Sequence, residues 1–367
     1  MNPLFRPFDL AGLALPNRIV MAPMTRQFSP GGVPGQDVVD YYTRRAAGGV
    51  GLIVTEGTYV DHPSAGTSSR VPRFYGDEAL AGWKRVVDSV HAAGGRIMPQ
   101  LWHVGATRKA GRGPVPEAPV AGPSGLALDG TELPGPDSVL TLSDLDDIIA
   151  AFAGAARAAR EAGFDGVELH GAHGYLIDQF LWSRTNKRTD GYGGDPVTRA
   201  RFAAEVTAAV RAAVGPSFPV IFRMSQWKSG AYDAKLADDP QTLENVLTPL
   251  IEAGADAFHA STRRYWQPEF EGSDLNLAGW VKKLTGHPVI TVGSVGLDVV
   301  FTTSLAGEGI PSRTEIGPLL DRLERDEFDL VAVGRSLIAD PDWPAKIRDG
   351  RTEEIIAYQN GMLAQLH

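Results

Sequence analysis

The chain has 367 residues, 43% of them hydrophobic and 22% charged, with a formal net charge of −9. That acidic balance opposes a nucleic-acid partner, and the complete lack of Cys excludes a disulfide framework, a thiolate-held metal cluster and a cysteine nucleophile. Met1–Arg6 has no long apolar run and no stretch is apolar enough to cross a bilayer, so a soluble cytoplasmic protein without a membrane partner is expected.

Short apolar runs recur along the chain, most with a helical pattern between them. Arg18–Pro23 is the first. Helices are predicted over Asp37–Ala47 and Glu78–Ala93, and strands over Gly51–Thr55 and Arg96–Leu101. The stretch His103–Leu140 is too long for an ordinary connection, and its prolines at 114, 116, 119, 123, 134 and 136 forbid a helix. The next helix opens at Ser143 as N-cap and stops at Gly163. Leu145, Ile148, Ile149, Phe152, Ala156 and Ala159 form its apolar stripe. A strand over Asp165–Leu169, a helix over Pro196–Val214, a strand over Pro219–Arg223 and a helix over Gln241–Ala253 come next. Strands over Asp256–Ala260, Pro288–Val292 and Asp329–Val333 complete the series, with a long connection at about Gly293–Arg313. The motif Glu-Ala-Gly-x-Asp stands at Glu161–Asp165 and again at Glu252–Asp256, which reads as one helix-stop and strand-start device used twice.

About eight strands, apolar on both faces and alternating with helices, imply an α/β fold: a (β/α)₈ TIM barrel. Length arithmetic alone suggests two domains, but such barrels often run this long as one, and the 42 Gly and 26 Pro mark no linker. One domain over residues 1–367 is therefore expected, with residues 103–142 as a hairpin or cap over the barrel mouth.

In a parallel barrel the C-terminal strand ends and the loops after them build the site. Chemically useful residues collect there: Thr25, Gln100, Trp102, His170, His173, Arg223, Gly293, Ser294, Gly334 and Arg335. A glycine turn beside an Arg suits a phosphate, and Gln100 offers a donor and an acceptor together, which suits the edge of a heterocycle. The run Glu168–Tyr175 places two imidazoles and a phenol close together. Two neutral imidazoles can hold one oxygen, and a phenol beside them can deliver a proton.

These fragments carry a resemblance. Ile19–Arg26, Gln100-Leu101-Trp102, His170–Leu176, Asn186–Gly194 and Val333-Gly334-Arg335 together, in order, resemble the Old Yellow Enzyme family of FMN-dependent ene-reductases, Thr25 marking its Thr-bearing branch. The resemblance implies non-covalent FMN, with Pro23, Met24, Thr25, Gly57, Gln100, His170 and Arg223 around the ring and Gly293, Ser294, Gly334 and Arg335 at the phosphate. It implies NADPH or NADH as hydride donor and a small activated alkene as substrate. His170 and His173 would grip the carbonyl oxygen, Tyr175 would protonate carbon, and Trp102 would line the substrate side. Tyr265 and Trp266 are candidate aromatic walls beside Arg263 and Arg264, against loop packing as the plainer reading, and Tyr358 is a candidate to fold over the site. His173 stands where the family often has Asn. Monomer and homodimer both stay open.

Rival readings exist. A His-x-x-His pair near Glu168 has metal-ligand character, but no second acidic cluster sits at another strand end, so no metal is expected. A lone His is ordinarily structural, and Arg223 could pair with a structural carboxylate. Arg184–Gly194 reads as a structural loop. Oxidative amine chemistry in a related barrel, or flavin binding without turnover, are the alternative functions, and nitro compounds or nitrate esters are further candidate substrates.

Overall fold

The computed structural model describes residues 2–297 and 315–367. The chain opens with an antiparallel hairpin, β1 (Phe8–Leu10) and β2 (Leu13–Leu15), that the apolar pattern did not announce. Its strands are three residues long, and its turn uses Ala11 and Gly12, both at positive φ (52° and 88°), as a tight hairpin turn of this hand requires. Eight parallel strands then close a barrel in the order β10-β3-β4-β5-β6-β7-β8-β9. They are β3 (Ile19–Met21), β4 (Leu52–Tyr59), β5 (Ile97–Trp102), β6 (Val167–His173), β7 (Val220–Lys228), β8 (Ala257–Ser261), β9 (Val289–Val292) and β10 (Leu330–Val333). The expected (β/α)₈ barrel is therefore present.

Strand alternation divides the core. Val20, Leu52, Val54, Met98, Ile221, Ala257, Ile290, Leu330 and Ala332 fill the barrel interior, and Leu10 and Leu15 of the hairpin pack into the same cluster. The opposite faces of the strands join the larger cluster that the helices cover. The helix over Leu142–Ala162 illustrates the covering layer. It is capped by Thr141, not by Ser143 as expected: Thr141 and Asp144 form a reciprocal capping box, which places the cap two residues earlier. Gly163 ends it in the left-handed conformation, with φ 91°.

The repeated Asp has a defined job. Asp165, just before β6, accepts from Ile97 N, the first amide of β5, at 2.8 Å. Asp256, just before β8, accepts from Val220 N at the start of β7 at 2.8 Å. Asp329, just before β10, does the same for Val289 N of β9 at 2.9 Å. The carboxylates thus join neighbouring strands at the N-terminal face, where a barrel keeps its stabilising residues.

Three strands outrun their apolar signal, β4 among them, which runs past Thr55 to Tyr59. β6 continues through His173 and β7 through Lys228, with His173 paired to Lys228 beyond a register shift. Backbone pairing, which hydrophobicity does not report, carries them into the mouth. The stretch after β5 has no α-helix among its residues; short 3₁₀ turns at Gly105–Thr107 and Pro136–Ser138 and isolated bridges shape it. Arg188 donates to Pro123 O at 3.0 Å and Leu140 O at 2.6 Å, so the Arg184–Gly194 loop fastens the middle and the end of that stretch. The long connection expected at Gly293–Arg313 continues past Leu297 outside the described residues.

Candidate active site

Register places the site. His170 of β6, Arg223 of β7 and His259 of β8 are paired across adjacent parallel strands and so share one face. Gln100 of β5 pairs with Glu168 of β6, two residues before His170. Glu168 is fully buried and organises this layer. One of its oxygens accepts from Gln100 Nε2 at 2.8 Å, and the other bonds His259 Nδ1 at 2.6 Å. From sequence Glu168 bears only on the metal reading, which is set aside, and His259 carries no role at the site; each reads there as one polar residue in an apolar strand.

The turn after β6 brings the rings together. The His170 ring lies 5.1 Å from that of His173 and 4.9 Å from that of Tyr175, edge-on in both cases. Trp102 closes the group, 4.8 Å from Tyr175 and 6.0 Å from His170. His173 has φ 65°, and its backbone N–H donates to Ser225 Oγ at 2.9 Å. Trp227, at the end of β7, stacks on its ring at 4.3 Å. A cavity of about 380 Å³ opens beside Trp102 and Tyr175, walled further by Val104, Leu128, Thr67 and Ser229.

The ring cluster also carries accessible polar atoms. His170 Nδ1 is buried without a partner, whereas its Nε2, His173 Nδ1 and the Tyr175 hydroxyl are not sealed off, and none of the three has a hydrogen-bond partner among the described residues. Desolvation first, then the Arg223 guanidinium, hold both imidazoles well below the usual range, so both rings are neutral near pH 7. Burial pushes the Tyr175 phenol up, with Arg223 partly opposing it.

The other sequence-selected residues fall as follows. Thr25 is exposed in the loop after β3. The next two amides, Arg26 N and Gln27 N, both donate to Glu56 Oε2, at 2.8 and 3.2 Å. Burial pushes that Glu56 carboxyl up to about 7. Gly57 leaves room for Trp102: a Cβ there would meet its ring at 2.6 Å. The loops after β9 and β10 touch, since Ser336 Oγ donates to Val295 O at 3.1 Å, and this brings Gly293-Ser294 near Gly334-Arg335. Tyr265 is buried in the outer core with Trp266 against it, and Arg263 lies over Tyr232 at 4.0 Å; none of these four lines the cavity beside Tyr175. Tyr358 is buried with Leu297, Ile338 and Met24, under the Arg335 guanidinium. Among the described residues no three His, Asp or Glu gather as metal ligands.

A flavin fits these residues. Arg223 Nε is buried with no hydrogen-bond partner, which suits a negatively polarised heteroatom brought against it. Gln100 has given its N–H₂ to Glu168, which leaves its amide oxygen to accept from a ring N–H.

Comparison with known proteins agrees. The profile of the NADH:flavin oxidoreductase / NADH oxidase family matches residues 3–311. The 12-oxophytodienoate reductase 7 of Oryza sativa subsp. japonica is 44% identical over 368 residues, covering 94% of this chain and 88% of its own. The NADH oxidase of Thermoanaerobacter brockii is 37% identical over 96% of this chain, which spans about half, 52%, of that longer protein. Old Yellow Enzyme from Pichia sp. AKU4542 superposes with a TM-score of 0.79 at 26% identity, over 99% of this chain and 90% of its own. The chain therefore belongs to the NADH:flavin oxidoreductase / NADH oxidase family, the family of Old Yellow Enzyme.

Proposed function

We propose that the protein is an ene-reductase, taking hydride from NADH or NADPH through non-covalent FMN to reduce the C=C bond of α,β-unsaturated carbonyl compounds. It works as a single barrel domain capped by residues 103–142. The observation that carries the reading is the grouping of the His170, His173 and Tyr175 rings on one turn, with Tyr175 and Trp102 walling a cavity and the buried Arg223 paired to His170 across β6 and β7.

Pro23, Met24, Thr25, Gly57, Gln100 and Arg223 would hold the FMN ring, and Gly293, Ser294, Gly334 and Arg335 its phosphate. Bound there, FMN supplies a ring that accepts a hydride from the nicotinamide and gives one to the alkene. His170 and His173, both neutral, donate N–H bonds to the substrate oxygen, and those bonds strengthen as charge builds on it. Neutral rings suit this task because they stabilise the oxygen without exchanging a proton with it. Tyr175 holds its proton at the phenol oxygen, where its raised pKa keeps it, and delivers it to the carbon next to the carbonyl. Trp102 excludes water from one side, and Leu128 of the cap from another. Among the described residues the cavity wall carries hydroxyls and no charged side chain, which favours a neutral substrate.

The test is direct. The protein is loaded with FMN, reduced anaerobically with NADPH or NADH, and mixed with 2-cyclohexenone. Reoxidation of the flavin with formation of the saturated ketone is expected. Failure to bind FMN would end the reading, and a reduced flavin that no enone reoxidises would favour the oxidative or binding-only alternative.

A further inference from the structure

A neutral imidazole carries one N–H, and the nitrogen that bears it decides whether His173 grips an oxygen or is itself gripped by a donor. His173 Nε2 lies 2.8 Å from Ser261 Oγ, at the end of β8, and Ser261 is 3% exposed. The ring cannot easily turn away. Trp227 stacks on it at 26°, and Trp227 Nε1 donates to Ser261 O at 3.1 Å. The backbone on either side is pinned as well, since His173 N donates to Ser225 Oγ and Ser229 N donates to His173 O at 3.0 Å.

Two proton arrangements satisfy the contact. In one, Nε2–H donates to Ser261 Oγ, and the buried serine proton then needs another acceptor. Among the described residues Ser261 Oγ has no second hydrogen-bond partner. In the other, Ser261 O–H donates to a bare Nε2, and every buried group is used. Ser225, by contrast, both accepts from His173 N and donates to Trp227 O at 2.7 Å, so its hydroxyl has no such choice to make. An unmade buried donor is costly, which selects the second arrangement.

We propose that Ser261 is a positioning residue: its hydroxyl donates to His173 Nε2, fixes the proton on Nδ1, and so makes His173 a hydrogen-bond donor to the substrate oxygen. The clamp then favours carbonyl oxygens, and any other oxygen that gathers negative charge, over groups that must donate. The catalytic consequence rests on the ene-reductase reading; the tautomer does not.

The experiment reads both. In the FMN-loaded, ¹⁵N-labelled protein, with His173 assigned by comparison with His173→Gln, imidazole NMR at neutral pH is expected to find Nδ1 protonated and Nε2 bare. Ser261→Ala should mix the tautomers and lower kcat/KM for 2-cyclohexenone about tenfold, with flavin reduction by NADPH within about twofold of the parent. Ser261→Thr, which keeps the hydroxyl, should restore both the spectrum and the rate. A protonated Nε2 in the parent, or a Ser261→Ala protein unchanged in spectrum and in kcat/KM, overturns the proposal. A parent with protonated Nδ1 that reduces no enone overturns the proposed function and upholds the tautomer.

Discussion

Lys228 Nζ donates to Asp178 Oδ1 at 2.7 Å, and neither side chain has any exposure. The pair joins the end of β7 to the short helix that follows Tyr175. Asp178 uses its other oxygen to accept from Gly174 N at 2.7 Å, and Lys228 also donates to Ser225 O at 3.1 Å. The turn from His173 to Tyr175 is therefore fastened from beneath by one buried ion pair. Burial pushes the Asp178 carboxyl up and the Lys228 ammonium down, and their mutual attraction opposes both shifts.

Breaking such a pair on one side leaves a buried charge alone. Lys228→Met is expected to cost about 3–5 kcal/mol in urea unfolding, and Asp178→Asn with Lys228→Met together less than Lys228→Met alone. A double variant as unstable as the sum of the two single ones would mean that the residues act independently.

Much of the architecture was legible because burial on both faces writes itself as apolar runs. The eight barrel strands and the five long helices from Gln36 to Glu252 follow that signal. The site was legible in part. His170, His173, Tyr175 and Arg223 are chemically conspicuous at strand ends, and the structure gathers them. Ser261, Trp227, Glu168, His259, Asp178 and Lys228 were not legible. The distant partners that define their roles lie from 34 to 91 residues away in sequence, and only register brings them together. Glu168 and His259, for example, are 91 residues apart and meet at 2.6 Å. The hairpin β1–β2 escaped for a different reason: three-residue strands are too short for alternation to register.

The Glu168 bridge bears on cofactor binding. With the carboxylate replaced by an amide, one acceptor oxygen remains where Gln100 and His259 had one each, and the competition frees Gln100 to turn its amide the wrong way. Glu168→Gln is expected to weaken FMN binding about tenfold in a fluorescence titration, since a hydrogen bond to a charged group contributes roughly 1.5–3 kcal/mol. Binding unchanged within error would detach Gln100 from that role.

Stability should fall in mild acid. Burial holds His103, His170, His173 and His259 below the ordinary imidazole value. As pH drops through about 6.5 the unfolded chain takes protons that the folded one refuses, so stability declines. Glu56 works against this. Its folded value of about 7 exceeds the unfolded one, so the folded state gains protons, and relative stability, from pH 7 downwards. Five imidazoles, His62 being held low by burial as well, outweigh the raised carboxyls of Glu56 and Asp178, and the thermal midpoint should drop between about pH 6.5 and 5. A midpoint that climbs over that interval would show the imidazoles to be protonated in the folded protein.

The opposite face of the barrel should separate stability from chemistry. Asp256 accepts from Val220 N and pairs with Arg211. Its replacement by Ala strands the Val220 N–H and removes the carboxylate partner of Arg211, which keeps its backbone acceptors at Gly215, Phe218 and Gly254, far from Tyr175. A loss of about 1–3 kcal/mol in unfolding free energy is expected. Turnover per folded, FMN-bound molecule should be unaffected, and a specific fall in kcat would contradict the assignment of that face to stability.

Tyr175 provides the sharpest separation of steps. Its phenol is a proton-bearing oxygen grouped with His170 and Trp102, and burial keeps it protonated past its ordinary pKa of about 10. Tyr175→Phe keeps the ring contacts and removes the proton. Enone reduction should slow by about 10²–10⁴-fold, the range of a lost general acid. Flavin reduction by NADPH, which uses no proton from Tyr175, should stay within a few-fold of the parent in stopped flow. The parent's enone rate should also stay level from neutral pH to about pH 9, because the phenol does not ionise in that interval. An equal fall in both half-reactions would assign Tyr175 to binding the nicotinamide and the substrate alike. A descending limb below pH 9 that vanishes in Tyr175→Phe would mean that Arg223 outweighs burial at the phenol.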